Sequence, residues 1–297
     1  MKLGLIGVGN IGMHFANRLV AAGHEVRVYD RNAAALDRVV TQGAKAAASN
    51  QDLAAQVEIV LLSLPIPAVV LQVADEISQP GSKVRVVVDL STTGPSVTHQ
   101  VANLLKGRGI ALVGAPVSGG TANAEKGALA VMTGGPAAAY EEVEPLLRVI
   151  GKNIFHLGED PSLGQTMKII NNTLYATSMI ASCEALVFGV KAGLNAKTML
   201  DVLNVSSGRS FATLERIPQC VMDRSFPVRF TTELLHKDVK MCMDEAEKLG
   251  VPMQVNPVAR QFLAFAISQG DGDKDNVYPI RHIEGWAGVQ FGEAPKA

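Results

Sequence analysis

Leu3-Gly4-Leu5-Ile6-Gly7-Val8-Gly9-Asn10-Ile11-Gly12 decides the fold of this 297-residue chain. A short apolar run with the look of a β-strand leads directly into Gly-x-Gly-x-x-Gly. A helical stretch carrying Phe15, Ala16, Leu19 and Val20 follows at once. Strand, glycine turn and helix in that order make the first βα unit of a sheet that binds a dinucleotide. The first glycine permits the tight turn, the second lets backbone approach a pyrophosphate, and the third lets helix pack on strand. The helix N-terminus adds free N–H groups and a partial positive charge where the phosphates would lie.

Working outward, the second strand, Val26–Tyr29, ends at Asp30. A carboxylate there accepts hydrogen bonds from the adenosine ribose and repels a 2'-phosphate, which favours NAD over NADP. Gly7, Gly9, Asn10, Ile11, Gly12 and Asp30 are therefore the candidate cofactor contacts. Arg31 leaves NADP open: its guanidinium could stack on adenine, pair with a 2'-phosphate, or be a solvated loop residue.

As far as about residue 160 short apolar runs alternate with helical stretches, the pattern of parallel βαβ units. Ile59–Leu64, Val84–Asp89 and Ile110–Val113 read as further strands, and the first two of these are almost continuously apolar, as strands covered on both faces must be. Helix punctuation agrees. Ser49 stands three residues before Asp52 as in a capping box, Pro67 suits a first helical turn, and Gly23 is a stop signal. Ala130–Thr133 and Ile154–His156 flank a helix starting near Pro136 and are expected to finish the same sheet.

After Pro161 strand signals stop. Leu163 to Ala192 contains no proline and reads as one helix of about 28 residues, roughly 42 Å long. Its apolar residues fall on more than one face, so it is expected to be buried all round, with neighbours on every side. Further helices are expected near 196–206, 209–224, 231–249 and 254–269. The fold class is α/β: an N-terminal Rossmann doubly wound parallel sheet, residues 1–162, then an all-α C-terminal domain, residues 163–297, with a long interdomain helix. The site is expected between the two.

Composition narrows the function. Net charge is -1 and no stretch gathers Lys or Arg, so no nucleic-acid partner is expected. The N-terminus lacks a signal-peptide pattern, and no window approaches about 18 uninterrupted apolar residues, so a cytoplasmic protein with no membrane partner is expected. Cys183, Cys220 and Cys242 lack the spacing of a disulfide framework or zinc site, and the histidines form no HxH or HExxH pattern, so no metal is expected. Neither a Walker lysine nor a GxSxG elbow is present.

Three more segments complete the pattern: Asp89-Leu90-Ser91-Thr92-Thr93-Gly94-Pro95, Ala115-Pro116-Val117-Ser118-Gly119-Gly120, and Gly164-Gln165-Thr166-Met167-Lys168-Ile169-Ile170-Asn171-Asn172. With the glycine fingerprint and Lys237-Asp238, they resemble the signatures of the β-hydroxyacid dehydrogenase family, which includes 3-hydroxyisobutyrate dehydrogenase and tartronate semialdehyde reductase. The resemblance covers almost the whole chain in the right order. Two positions depart from it: Gly114 stands where the family often has Asp, and Ser162 where it often has Gly.

Lys168 and Asn172 are four residues apart and share a helix face, with Gln165 and Tyr175 close to it. A base must take the hydroxyl proton as an alcohol gives up hydride, and an acid must return it in reverse. Lys168 alone reads equally well as a lysine snorkelling to solvent; the resemblance implies that it is the catalytic acid/base. The resemblance likewise makes Ser118, Gly119 and Gly120 a receptor for the substrate carboxylate where a simple turn is the plainer reading. It implies a substrate contact for Asn172 and a contact with substrate and cofactor for Lys237, which is otherwise a surface lysine. Asp238 orients Lys237 or a helix. Leu64, Pro65, Ser91 and Thr92, at strand ends, are further cofactor candidates, with capping of the helix at Pro95 the other role for Ser91 and Thr92. In the loop at Ser207-Gly208-Arg209-Ser210-Phe211, substrate selection competes with helix capping.

The function expected is hydride transfer between a small 3-hydroxy acid, or the matching semialdehyde, and NAD, with NADP possible. The chain is expected to form a homodimer or homotetramer. Imine reductases, phosphogluconate-type enzymes and a non-catalytic cofactor-binding module share the fold. The first usually replace the lysine, the second are longer with extra basic ligands, and the third lose the lysine.

Overall fold

The computed structural model describes residues 1–292, and the chain divides into two compact units, Met1–Lys168 and Ile169 onward. In the first unit β1 (Lys2–Ile6), α1 (Gly12–Ala21), β2 (Glu25–Tyr29), α2 (Ala33–Val40), β3 (Lys45–Ala46), α3 (Asn50–Ala54), β4 (Ile59–Leu62), α4 (Pro67–Ile77), β5 (Val86–Asp89), α5 (Pro95–Lys106) and β6 (Ala111–Gly114) follow in order. The six strands form a parallel sheet in the order β3-β2-β1-β4-β5-β6. That is the doubly wound Rossmann order, with the switch in direction between β1 and β4, where such sheets bind ligands outside the strand carboxyl ends.

Alternation along each strand builds two cores. Leu3, Leu5, Val26, Val28, Ile59 and Leu61 face one way, against Phe15 and Leu19. Ile6, Val60, Leu62 and Val87 face the other way, against Leu53, Val70, Val73, Ile77, Val101 and Leu105. Every residue of β4 and β5 is buried, which is why those runs are apolar without interruption. The punctuation works as the sequence suggests. Ser49 Oγ accepts from Asp52 N at 3.0 Å while Asp52 accepts from Ala48 N at 2.9 Å; Pro67 opens α4, and Gly23 adopts φ 82° behind α1.

The strands after β6 correct the sequence reading. β7 (Val117–Ser118), α6 (Gly120–Lys126), β8 (Leu129–Thr133), α7 (Ala137–Ile150) and β9 (Gly151–His156) contribute a separate three-stranded sheet, β7-β8-β9, instead of finishing the first. β6 stops at Gly114, and Pro116, with no N–H for a ladder, turns the chain so that Val117 pairs antiparallel with Val131. The two sheets meet at a Gly114–Gly134 bridge.

α8 (Ser162–Lys191) runs for 30 residues from the first unit into the second. It is not buried all round. Ile169, Ala176, Met179, Cys183, Leu186 and Val187 are buried, yet Leu163, Met167, Ile170 and Leu174 form an exposed stripe. Although its apolar runs are interrupted, its mean hydropathy of 1.4 makes it long and apolar enough to cross a membrane by length and composition, with 44% of that window buried inside the protein.

The second unit is helical: α9 (Ala196–Asn204), α10 (Ile217–Cys220), α11 (Thr232–Lys248), α12 (Asn256–Ala266) and α13 (Ile280–Ala287). The single helix expected over 209–224 is instead a wide turn at Ala212–Arg216 followed by the short α10, with Pro218 unable to donate a backbone bond. Arg224 and Phe226 then take positive φ. α12 gives way to a second wide turn at Ile267–Asp271, broken by Gly270 at φ 91°.

Candidate active site

The glycine loop is shaped by what its missing side chains would strike. A Cβ on Gly7, at φ 89°, would lie 2.2 Å from Ser63 O, and one on Gly12 would lie 2.1 Å from Gly7 O. The loop therefore closes tightly between β1, β4 and α1. Gly9 differs: a Cβ there would meet nothing within 4 Å, and Gly9 and Asn10 are exposed. Close packing behind the loop and bare backbone in front of it fit a pyrophosphate against the first turn of α1. Ile11 precedes that turn and is half-buried.

Asp30 is tied to this loop. Its Oδ2 accepts from Val8 N at 2.8 Å and its Oδ1 from Asn32 N at 2.8 Å. Each carboxylate oxygen keeps a further lone pair for a hydroxyl donor. Arg31, beside it, is exposed.

The ends of β4 and β5 are joined through Ser91. Leu64 N donates to Ser91 Oγ at 2.9 Å, and Ser91 N donates to Asp89 Oδ1 at 3.0 Å. Ser91 therefore spends its hydroxyl on the β4 end, and Gly94, with no side chain to offer, occupies the cap position of α5. Pro65 is exposed, and Thr92 half-buried. Thr93, part of the same segment but given no role from sequence, is buried and donates from Oγ1 to Asp89 Oδ2 at 2.5 Å.

Ser118 ends β7, and Gly119 (φ 136°) and Gly120 (φ 70°) turn the chain into α6. Both glycines are exposed, and a Cβ on Gly120 would meet nothing within 4 Å. Backbone here is open to a ligand.

The start of α8 sits where the two sheets meet, along a seam of glycines. A Cβ on Gly114 would lie 2.2 Å from Pro161 O, on Gly134 2.3 Å from Asp160 O, and on Gly164 2.2 Å from Met132 O. Gly114 is thus accounted for: it admits the backbone that leads into the helix. Ser162, the second departure, is buried, and its N–H donates to Asp160 Oδ1 at 2.8 Å. Burial pushes the Asp160 carboxyl up, but the bonds from Ser162 and His99 outweigh it and hold that group below its ordinary value. One turn later Gln165, fully buried, donates to Ser91 O at 2.9 Å and accepts from Thr93 N at 2.9 Å and Gly94 N at 3.3 Å. Lys168 follows, 9% exposed.

In the second unit Asn172, buried, donates from Nδ2 to Asp238 Oδ2 at 2.6 Å and accepts from Asn171 Nδ2 at 3.0 Å. Lys237 Nζ lies 3.0 Å from Asp238 Oδ1. That contact is an ion pair without hydrogen-bond alignment, since Oδ1 makes no hydrogen bond. Asp238 thus gathers Asn172 and Lys237. Tyr175 donates to Asn276 Oδ1 at 2.6 Å, and burial pushes its phenol well above the ordinary value. It belongs to a buried polar group with Arg216 and Asp275, whose carboxylate also accepts from Arg229 N, Phe230 N and Val277 N. Asp275 stands in the charged run Asp273-Lys274-Asp275, and no motif or spacing in the sequence marks it. Ser207, Gly208 and Arg209 are exposed, and Thr213, not Ser207, is bonded to Ser210.

The family described as the NAD binding domain of 6-phosphogluconate dehydrogenase matches residues 2–158, and the NAD-binding family of NADP-dependent 3-hydroxyisobutyrate dehydrogenase matches residues 162–283. The 2-(hydroxymethyl)glutarate dehydrogenase of Eubacterium barkeri is 37% identical over 295 residues, 97% of each chain. The NAD-dependent L-serine dehydrogenase of Pseudomonas aeruginosa is 32% identical, covering 92% of this chain and 95% of that one. Among solved structures, Mycobacterium tuberculosis 3-hydroxyisobutyrate dehydrogenase with L-serine superposes with a TM-score of 0.87 at 28% identity, over 95% of this chain and 98% of that one.

Proposed function

We infer the reaction from one premise: the chain belongs to the β-hydroxyacid dehydrogenase family, among the relatives of 3-hydroxyisobutyrate dehydrogenase. It is an oxidoreductase that exchanges a hydride between the hydroxyl-bearing carbon of a small 3-hydroxy acid and NAD, with NADP a possible substitute. The observation that carries this reading is the buried Lys168, set on the α8 turn that Gln165 bonds to the loop at the carboxyl end of β5. When bound, the nicotinamide accepts the hydride as the alcohol becomes a carbonyl.

The chain's own groups do the rest. Gly7, Gly9, Asn10, Ile11 and Gly12 hold the pyrophosphate by backbone, and Asp30 takes the ribose hydroxyls. Leu64, Pro65, Ser91 and Thr92 line the strand ends beside it. Lys168 Nζ takes the hydroxyl proton during oxidation and returns it during reduction, so that charge does not build up on the substrate oxygen. Ser118 and the open backbone at Gly119 and Gly120 receive the carboxylate, which every 3-hydroxy acid has in common. Asn172, one turn beyond Lys168 on the same helix, positions the substrate, and Lys237 assists through Asp238. The exposed stripe Leu163, Met167, Ile170 and Leu174 supports a homo-oligomer, testable by light scattering.

The test is absorbance of reduced nicotinamide with a panel comprising 3-hydroxyisobutyrate, L-serine, 2-(hydroxymethyl)glutarate and glycerate. At least one should turn over with NAD. Lys168→Ala should then lower kcat by about 10²–10⁴ with NAD affinity nearly unchanged. A folded Lys168→Ala protein keeping more than about a tenth of kcat would defeat the assignment, being below the range of a positioned acid/base group.

A further inference from the structure

We propose that Gln165 is a positioning residue for the reaction: it locks the turn carrying Lys168 to the Ser91–Gly94 loop, and so sets where the lysine's amine meets the substrate hydroxyl. The proposal rests on the acid/base reading of Lys168.

Gln165 has no exposed surface, and its amide is spent on a single loop. Oε1 accepts two backbone N–H groups, from Thr93 at 2.9 Å and Gly94 at 3.3 Å, while Nε2 donates to Ser91 O at 2.9 Å. The partners fix which way the amide faces, since N–H groups need an acceptor and a carbonyl needs a donor. A carboxylate of the same shape would satisfy the first two bonds and set an oxygen against Ser91 O. A methionine would fill the space and make none of the three.

The loop it grips is itself bonded to both neighbouring strands. Ser91 Oγ accepts from Leu64 N beyond β4, and Asp89 at the end of β5 accepts from Ser91 N and Thr93 Oγ1. Helix, loop and two strand ends are therefore joined by direct hydrogen bonds. Lys168 stands three residues after Gln165, on the same side of the helix. The packing of Gly164 against Met132 O already holds the helix on the sheet without Gln165. Three buried bonds to one loop, at the turn before the lysine, then govern rotation and register more than attachment. A displacement of about 1 Å in a reacting group can cost about a hundredfold in rate.

The experiment compares Gln165→Met, Gln165→Glu and Lys168→Ala with the double variant Gln165→Met/Lys168→Ala, measuring kcat, KM, NAD affinity by fluorescence, and the pH profile of kcat. Gln165→Met should lower kcat by about 10- to 100-fold, with KM and NAD affinity both changed less than kcat. Gln165→Glu should also lower kcat, and should shift its pH profile toward higher pH, because it adds a negative charge one turn from the lysine. The double variant should be no slower than Lys168→Ala alone, because a residue acting through the lysine has nothing to position once it is gone. A merely structural role would instead add its loss to that of Lys168→Ala, and would lower NAD affinity with kcat. A Gln165→Met protein with wild-type kcat and pH profile overturns the proposal while leaving Lys168 in its role. If Lys168→Ala itself keeps wild-type kcat, the acid/base reading fails and the positioning role falls with it. Should Gln165→Met fail to fold, Gln165→Glu and its pH profile decide alone.

Discussion

The carboxylate of Asp30 accepts the backbone N–H of Val8 at 2.8 Å, so the residue at the end of β2 is held in place by the glycine loop at the end of β1. With Asn32 N on the other oxygen, the carboxylate is aimed before any ribose arrives and cannot turn away without losing both bonds. This weakens the case for Arg31 as a 2'-phosphate ligand. kcat/KM should therefore be higher with NAD than with NADP. Asp30→Ala should lower kcat/KM for NAD by about ten- to a hundredfold, as expected for a charged hydrogen bond of about 1.5–3 kcal/mol. Equal use of both cofactors by the wild type would contradict the assignment.

Asp238 links two residues of the second unit that the sequence singles out separately. Removing it leaves the buried Asn172 amide without its acceptor at 2.6 Å and Lys237 without its ion pair at 3.0 Å. Asp238→Ala should destabilise the protein by about 1.5–3 kcal/mol, the range for hydrogen bonds to charged groups. It should also raise the substrate KM more than it lowers kcat, because it takes one partner from each of Asn172 and Lys237 while leaving Lys168 in place. Asp238→Asn keeps the volume and one acceptor for Asn172, so its melting temperature should lie between those of Asp238→Ala and wild type. A KM for Asp238→Ala equal to that of wild type would show that neither dependent residue meets the substrate.

Much of this was legible in the sequence because the deciding physics is local. A strand covered on both faces has no place for a polar side chain, and Ile59–Leu62 shows that directly. The glycine loop and Asp30 are spaced by the geometry of one βαβ unit. What escaped depends on contacts between distant segments. Gln165 and Ser91 are 74 residues apart and Asn172 and Asp238 are 66 apart, separations that no periodicity records. The late strands were legible as strands but not as a second sheet, because pairing turns on a reversal at Pro116 and on the two-residue β7, too short to show as a run. Burial of the long helix on every side was inferred from its apolar faces, whereas the exposed stripe shows that composition does not say which chain covers a face.

Acid should weaken the fold in a window that His236 helps to set. Its imidazole is half-buried on α11; burial first, then the charges of Arg260 and Lys240, hold its pKa below the ordinary value, against a smaller upward pull from Glu233. An unfolded imidazole takes up a proton near about pH 6.5. Between that value and the lower folded one the unfolded chain binds more protons, so stability is full above about pH 6.5 and declines as pH falls. His24 is lowered in the same direction, by burial and the N-terminal amine. Urea midpoints at pH 7.5 and 5.5 should fall more for the wild type than for His236→Gln. Equal falls would mean that His236 titrates alike in both states.

Gly114 offers the sharpest test of how the lysine helix is seated, because many family members carry Asp there. A Cβ at this position would come within 2.2 Å of Pro161 O, a backbone atom that cannot swing aside as a side-chain end could. The same seam runs through Gly134 against Asp160 O and Gly164 against Met132 O, so the backbone from 160 to 164 has no direction in which to relax freely. Gly114→Ala should therefore cost about 1–3 kcal/mol, the usual range for overpacking a filled site. At about 2–4 °C per kcal/mol for a chain of this general size, the melting temperature should drop by several degrees. Gly114→Asp should cost more, since it adds a carboxylate at a buried position. Where the variants fold, kcat should fall further than KM rises, because the displaced segment leads directly into the turn of Gln165 and Lys168 while Asp30 and the glycine loop are untouched. Calorimetry and steady-state kinetics on Gly114→Ala read both effects. A variant with wild-type melting temperature would mean that the seam is loose, and one that loses stability but keeps kcat would mean that the seating of the helix does not govern the position of the lysine.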